Sequence, residues 1–322
     1  MTRPRAVLAG ASGFLGPLLA ADLAARGYQV ALVGRRGPDA RWGERDRLHP
    51  LIDGADLLVN LAGRSVGCRY TERNRDEIYR SRIDTTAQLG AAVAEADRPP
   101  RLWLNASTAT IYRHAMDRPQ TEDDGETGSG FSVDVARDWE QTLFAGPLPR
   151  TRRVALRMAI VLGDGPALQM LARAARSGLG GPQLDGRWFP HRRYRGIGPR
   201  ATPAAPPHGA THGQQKFSWI HVDDLVAAVR FLDSHPELDG PVNLASPGTS
   251  TNRELMAALR RAVHAPVGLP TPRWLLEPGL LVLRQESELV LKSRWAVPRK
   301  LLDAGFRFRW TRLPEAVQQL LR

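Results

Sequence analysis

Cysteine is almost missing from this chain. Cys68 is the only one among 322 residues, so no disulfide can close within it. That suits a reducing cytosol, with Cys68 expected as a small, buried side chain rather than a nucleophile. Long apolar runs are missing too. None approaches the ~18–20 residues that cross a bilayer. The N-terminal stretch "MTRPRAVLAGASGFLG" is apolar only briefly before it turns glycine-rich, and it lacks the small-residue cleavage site of a secretory leader. A cytoplasmic chain with no membrane span is expected. Acidic residues are scarce: 33 Asp and Glu face 45 Lys and Arg, for a net charge of +12. The excess is mostly arginine, scattered and mixed with acids. No helix-turn-helix, zinc-ligand spacing or aromatic RNA-binding motif accompanies it, so nucleic acid is not the expected partner. One segment has no acid at all, from Gly186 to Val222, and it holds Arg187, Arg192, Arg193, Arg195, Arg200 and Lys216.

What is present reads as alternating strands and helices. Arg5–Ala9 and "YQVALVG" are buried-type strands around a helix from Pro17 to Arg26. "ADLLVNLAG" and "RLWLNAST" are two more strands, separated by the long helix "RNRDEIYRSRIDTTAQLGAAVAEA". A helix from about Ser132 to Leu143 precedes the strand "RRVALRMAIVLG". This alternation predicts an α/β protein with a doubly wound parallel sheet of Rossmann type and a smaller C-terminal substrate-binding region. Residues 1–165 form the expected nucleotide domain, rejoined by 216–248. Residues 166–215 and 249–322 form the substrate region, and 185–215 is a basic Gly/Pro/Arg-rich stretch without periodicity, either a functional lid or disordered. "KFSWIHVDDLVAAVRFLDS" is expected as a strand and a helix capped by an aspartate. Ser250 or Thr251 should cap another helix, and the C-terminus reads as a short helix, an aromatic-rich strand and a closing helix.

Three groups of residues carry chemistry. In Gly10-Ala-Ser12-Gly13-Phe14-Leu15-Gly16, glycines after a strand permit a tight turn. They also let backbone amides approach a pyrophosphate at the following helix N-terminus. The second strand ends in Arg35 and Arg36, where an enzyme selecting NAD would place an acid for the ribose 2′-hydroxyl. Arginine suits a 2′-phosphate, so NADP(H) is the expected cofactor. Leu61, Ala62 and Gly63 end the next strand against the same ligand. The third group is "NASTATIYR". Its Ser107, Thr108 and Tyr112 offer hydroxyls that could polarise a substrate oxygen, or simply cap the strand end.

The first and third groups are similar to the GxxGxxG loop and the "SSxxVYG" strand end of extended short-chain dehydrogenases and sugar-nucleotide epimerases. That match puts Thr108 at the catalytic hydroxyl. The resemblance also implies a Tyr-x-x-x-Lys pair downstream, with lysine lowering the tyrosine pKa. "GFSVDVARDWE" has neither residue. Anchored on Trp139-Glu140, the two positions are Ser132 and Ala136; one residue later they are Val133 and Arg137, and Arg137 could keep a positive charge near the ribose. "GASGFLG", "VNLAG", "RNRDEIYRSRIDTT", "GFSVDVARDWE", "LRMAIVLG", "GQQKFSWIHVDDLVAA", "GPVNLASP" and "VPRKLLDAGFRF" together resemble one atypical group within that superfamily. These are the epimerase-family proteins with a C-terminal domain of unknown function, which generally lack the pair. The resemblance implies an NADP(H) site, an unassigned small-molecule substrate and homodimerisation through sheet-flanking helices. In that group only a few residues separate "GLGG" from "GQQKFSWIH"; this chain inserts the basic segment there. Arg82 falls where related enzymes place an active-site Asn, so it could meet cofactor or an anionic substrate, or stay on the helix surface. His221, Asp223 and Asp224 read as a strand-to-helix junction rather than a metal cluster. His191, His208 and His212 are too irregularly spaced for metal ligands, and Asn105 and Arg157 are candidate polar anchors of the core. Besides an oxidoreductase or epimerase, a redox-silent NADP(H) sensor and a basic interaction protein acting through residues 186–222 remain open.

Overall fold

The computed structural model describes residues 3–186, 188–189, 191–204 and 209–322. Arg187 of the basic segment and His208 lie outside the described residues. The chain begins with β1 (Arg5–Ala9), α1 (Leu15–Ala25), β2 (Gln29–Gly34), β3 (Ala40–Arg41), α2 (Arg45–Ile52), β4 (Leu57–Asn60), α3 (Glu72–Glu95) and β5 (Leu102–Thr108). After β5 come α4 (Phe131–Leu143), β6 (Arg152–Met158), β7 (Ile160–Leu162), α5 (Pro166–Ala174), β8 (Lys216–Phe217), β9 (Trp219–His221) and α6 (Val222–Ser234). The chain closes with β10 (Gly240–Leu244), β11 (Ser250–Thr251), α7 (Asn252–Ala262), α8 (Arg273–Val282), α9 (Glu288–Leu291), α10 (Arg299–Asp303) and α11 (Leu313–Leu320).

Seven strands form one sheet in the order β10-β6-β5-β4-β1-β2-β3, and every pairing in it is parallel. Strand side chains alternate between faces. Ala6, Leu8, Leu57, Val59, Leu102 and Leu104 pack on one side with Leu19 and Leu23 of α1 and Leu225, Val229 and Leu232 of α6. Val7, Ala9, Leu58 and Trp103 pack on the other with Leu48 and Ile52 of α2 and Leu89 and Val93 of α3. Both faces are covered, which is why the strands read as continuous apolar runs. A third cluster joins α5, α7 and α11 through Leu168, Leu171, Leu255, Leu259, Leu313 and Val317. The strand order reverses between β1 and β4, and a crevice opens there beyond the strands' C-terminal ends.

Four local expectations need correction. The run "RRVALRMAIVLG" is two strands: the Ala159 amide bonds the Leu244 carbonyl at 2.9 Å, and beyond it β7 leaves the sheet to pair with β9. No strand forms at Phe306–Trp310, because the Arg309 and Trp310 amides donate to the buried Asp224 carboxylate at 2.8 and 2.9 Å instead of to a ladder. The cap of α6 is His221, whose ring accepts from the Asp223 amide; neither aspartate caps it. Cys68 is half-buried rather than buried. Thr251, by contrast, caps α7 in a complete capping box with Glu254.

The described part of the basic segment is fastened to the body of the protein. Buried Asp134 of α4 accepts from the Thr202 amide (2.7 Å), the Thr202 hydroxyl (2.9 Å) and the Ile197 amide (3.1 Å). Arg193 and the Tyr194 hydroxyl both donate to Glu286, each at 2.7 Å. The Thr211 amide and hydroxyl bind Asp185. Residues 191–204 therefore form a strap clipped across α4 and the turn before α9. The reason is invisible locally: its polar partners come from distant helices.

Candidate functional site

Two cavities meet at the loop after β1. The first, about 440 Å³, is lined by Gly10, Gly13, Phe14, Leu15, Gly16, Leu61, Gly63, Arg82, Ser107, Thr108, Ser132, Trp139 and others. The second, about 650 Å³, is lined by Ser12, Gly34, Arg35 and Arg36 with Ala11, Leu32, Val33, Gly37 and Pro38. The three glycines differ in what they permit. Gly10 has φ +78° and approaches the next strand end so closely that a Cβ would sit 2.5 Å from the Ala62 nitrogen. At Gly16 a Cβ would lie 2.0 Å from the Ala11 carbonyl oxygen. At Gly13 a Cβ would meet nothing within 4 Å, so this glycine leaves open the space in which a phosphate would sit. α1 starts here with no side-chain cap and no acid in its first turn, so its amides suit an anion. Arg35 and Arg36 are exposed, and neither pairs with a described carboxylate. The residues present fit a dinucleotide with a phosphorylated ribose.

Leu61 and Gly63 reach the first cavity, whereas Ala62 stays buried behind it, its amide bonded to Asn60. Asn60, Asn105, Thr86 and Trp139 form a buried polar chain under the cavity floor: Asn60 donates to Asn105 at 2.7 Å and to Thr86 at 3.2 Å, and the Trp139 indole donates to Thr86 at 2.9 Å.

The three hydroxyls separate. Thr108 lines the cavity while its Oγ1 accepts from the Thr110 amide at 3.1 Å, so it caps the 3-10 turn at Ala109–Ile111 from within the site. Ser107 also lines it, but its hydroxyl donates to Glu140 at 2.6 Å. Tyr112 does not line it. Its hydroxyl donates to the Thr121 carbonyl at 2.9 Å, lies 2.9 Å from Asn243 Oδ1 and accepts from Arg157 at 2.9 Å, all behind the site. Burial pushes this phenol's pKa up, and Arg157 opposes that. Arg157 meanwhile grips Glu140 with two hydrogen bonds of 2.9 and 2.8 Å.

On α4, Ser132, Val135 and Trp139 face the cavity. Val133 and Ala136 are fully buried. Arg137 turns away to Asp134, Asp138 and the Arg200 carbonyl, so it adds no charge to this cavity. Arg82 does. Its guanidinium packs on Gly63 and over the Trp139 ring at 5.0 Å, and one of its nitrogens donates to the Arg64 and Ile78 carbonyls. No described carboxylate pairs with it, and burial draws its pKa down to about 10.

The C-terminal segment contributes what sequence reasoning missed. Lys292, buried so that its pKa falls to about 8, donates to the Thr110 carbonyl at 2.7 Å. Arg294 donates to the Thr110 hydroxyl at 3.1 Å. Glu288 accepts from Ser132 at 2.9 Å, and Tyr70 lines the cavity beside it. The only available signal was the run of charges in the otherwise apolar "ESELVLKSRW". In the strap, Arg193 is paired to Glu286 and Glu277, and Lys216 lies 4.6 Å over Trp295, so the basic segment presents chiefly Arg192, Arg195 and Arg200 to solvent.

A fully covered parallel sheet with a glycine-loop cradle at its switch point defines a Rossmann-type α/β protein of the extended short-chain dehydrogenase class. Residues 6–132 match the NAD dependent epimerase/dehydratase family, and residues 271–320 match a domain of unknown function, DUF1731. An epimerase family protein of Mycobacterium bovis is 32% identical over 319 residues, 96% of this chain and 95% of that protein. The epimerase family protein YfhF of Bacillus subtilis is 26% identical over 98% of this chain and 97% of that protein. The chain therefore belongs to the epimerase family that carries this C-terminal domain. A crystal structure of the human epimerase family protein SDR39U1 (isoform 2) with NADPH is similar to it throughout: TM-score 0.80 and 27% identity, covering 98% of this chain and 99% of that one.

Proposed function

We propose that this protein is an NADP(H)-dependent oxidoreductase or epimerase acting on a small carbonyl or alcohol substrate with an anionic group. The observation that carries the reading is the pair of cavities meeting at Gly10–Gly16, with two arginines that no described carboxylate pairs, where NAD-selective enzymes place an acid. The likeness to a protein crystallised with NADPH supports it.

Gly13 and the α1 amides would hold the pyrophosphate, and Arg35 and Arg36 the 2′-phosphate. Once bound, NADPH would supply a hydride to a carbonyl carbon. Thr108 can swing its hydroxyl hydrogen from Thr110 toward the substrate oxygen and stabilise the charge that grows there. Arg82, without a carboxylate partner, suits the substrate's negative group. Trp139, Phe131 and Val135 keep water from the reacting atoms.

A redox-silent NADP(H) binder is the second reading, favoured by the lack of a Tyr-Lys pair in either register, Ser132 and Ala136 or Val133 and Arg137. The test is a fluorescence titration with NADPH and with NADH, on the native chain and on the Arg35→Ala/Arg36→Ala double variant. NADPH should bind at least about 100-fold more tightly than NADH, since each lost charged hydrogen bond is worth ~1.5–3 kcal/mol, and the double variant should abolish that margin. Equal affinities in the native chain would overturn the reading. Hydride transfer from NADPH to any carbonyl compound would exclude the silent binder.

A further inference from the structure

Tyr70 is the most conspicuous group in the first cavity that the foregoing leaves unused. It is 2% exposed, it lines the cavity, and its buried hydroxyl has no hydrogen-bond partner among the described residues. Leaving a buried phenol unpaired is unfavourable, and a ligand in the cavity would relieve it. Tyr70 is held rigidly all the same. Its ring stands edge-on to Phe131 at 4.7 Å and to Tyr194 of the strap at 6.4 Å, and its backbone amide donates to Glu286 at 2.8 Å.

We propose that Tyr70 is the proton donor and acceptor of this active site, with Arg82 stabilising its phenolate and the Ser132–Glu288 hydrogen bond carrying the proton to and from solvent. The assignment rests on the NADP(H) reading above. It replaces the missing pair with residues from four places: Tyr70 from the turn before α3, Arg82 from α3, Ser132 from α4 and Glu288 from α9. Ser132 bears on the phenol, and its own proton is given to Glu288 at 2.9 Å, so its oxygen stays free to accept. Arg82 likewise feels the phenol's charge. The groups that bear on Tyr70 electrostatically are Glu286, Glu288, Arg294 and Arg82; burial and the two glutamates push its pKa well up, while Ser132 and Arg294 act against them. A bound oxidised nicotinamide would add a positive charge to this cavity, which acts in the same direction as Arg294.

In the reducing direction the hydride brings two electrons to the carbonyl carbon, and the C=O π pair moves to oxygen. That oxygen takes the proton from Tyr70 Oη, whose O–H electrons stay on the phenolate facing Arg82. For the phenol to be restored, the Ser132 hydroxyl would have to turn from Glu288 to the phenolate and give up its proton, which water replaces through Glu288. Oxidation runs the same transfers backwards, and the Ser132-to-Glu288 bond seen here points in that outward direction. One hydride from the cofactor and one proton from solvent balance each reduction.

The test needs no substrate. The chain has five tyrosines, so ¹³Cζ-tyrosine labelling gives a countable NMR spectrum, with Tyr70 assigned by Tyr70→Phe, which removes only an unpaired hydroxyl. The expected result is a Tyr70 signal whose downfield movement, toward phenolate, sets in at lower pH with NADP⁺ bound than with NADPH. Arg82→Gln should reduce the NADP⁺-dependent movement. If both nucleotides bind and the Tyr70 signal is the same with each, the proton-transfer role is overturned while the cofactor reading stands. If neither binds, the cofactor reading fails and this assignment fails with it.

Discussion

Arg157 of β6 and Glu140 of α4 are joined by two parallel hydrogen bonds of 2.9 and 2.8 Å, and the same glutamate accepts from Ser107 of β5. Both side chains are nearly buried, at 12% and 9% exposure. This fork fixes the strand end that carries Thr108 against the helix that carries Ser132. Glu140→Ala would leave the arginine charge buried without compensation, so a loss of about 3–5 kcal/mol is expected in urea unfolding. The conservative Glu140→Gln variant should lose less, because it keeps one acceptor for the guanidinium.

The glycine loop separates two kinds of damage. Gly10→Ala forces a side chain into left-handed backbone against Ala62 and should destabilise the fold by about 2 kcal/mol or more. Gly13→Ala meets open space, so its Tm should match the native chain. Its NADPH affinity should nevertheless fall at least about tenfold, ~1.4 kcal/mol, because the new methyl occupies the phosphate's space. Thermal melts and fluorescence titrations of the two variants read both quantities.

Asp134 makes three of the contacts that hold residues 197–202 of the strap, while Glu286 holds its other end at Arg193 and Tyr194. Asp134→Ala should release residues 197–202 while the sheet stays intact. Limited trypsin digestion would then cut at Arg200 at least about tenfold faster than in the native chain, because cleavage follows the open population. Unchanged cleavage rates would show that the strap has some other anchor.

Acid should weaken the protein through His114. Burial is the main cause that lowers its pKa from 6.5 to about 4, with Lys292, Arg113 and Arg294 acting the same way and Asp185 against them. The unfolded chain therefore binds a proton between those values while the folded chain does not, and stability falls as pH drops from 6.5 to 4. His114 is only partly buried, so the effect should be about 1–2 kcal/mol. In His114→Gln that part of the pH dependence should vanish from urea titrations across this window.

The legible parts of this molecule were those whose cause is local. The apolar runs of β1, β4 and β5 announce strands buried on both faces, and Gly10–Gly16 must be a tight turn into a helix whatever surrounds it. Arg35 and Arg36 could be placed because they follow a strand, β2, whose position follows from that turn. The aromatic run at Phe306–Trp310 misled because strand-like composition does not decide where its amides go; Asp224, held on a different helix, took them.

By itself, then, the sequence determined the sheet, the nucleotide cradle and the absence of a tyrosine and lysine in α4. Only the tertiary structure decided which distant polar groups meet around the cavity beside α4. Ser132 and Glu288 are 156 residues apart along the chain, Tyr70 comes from a turn with no motif of its own, and Tyr112 is drawn away by Arg157 and Asn243. The physical reason is that secondary structure follows from short-range periodicity, whereas a hydroxyl's partner depends on which distant side chain the packed core brings within about 3 Å of it.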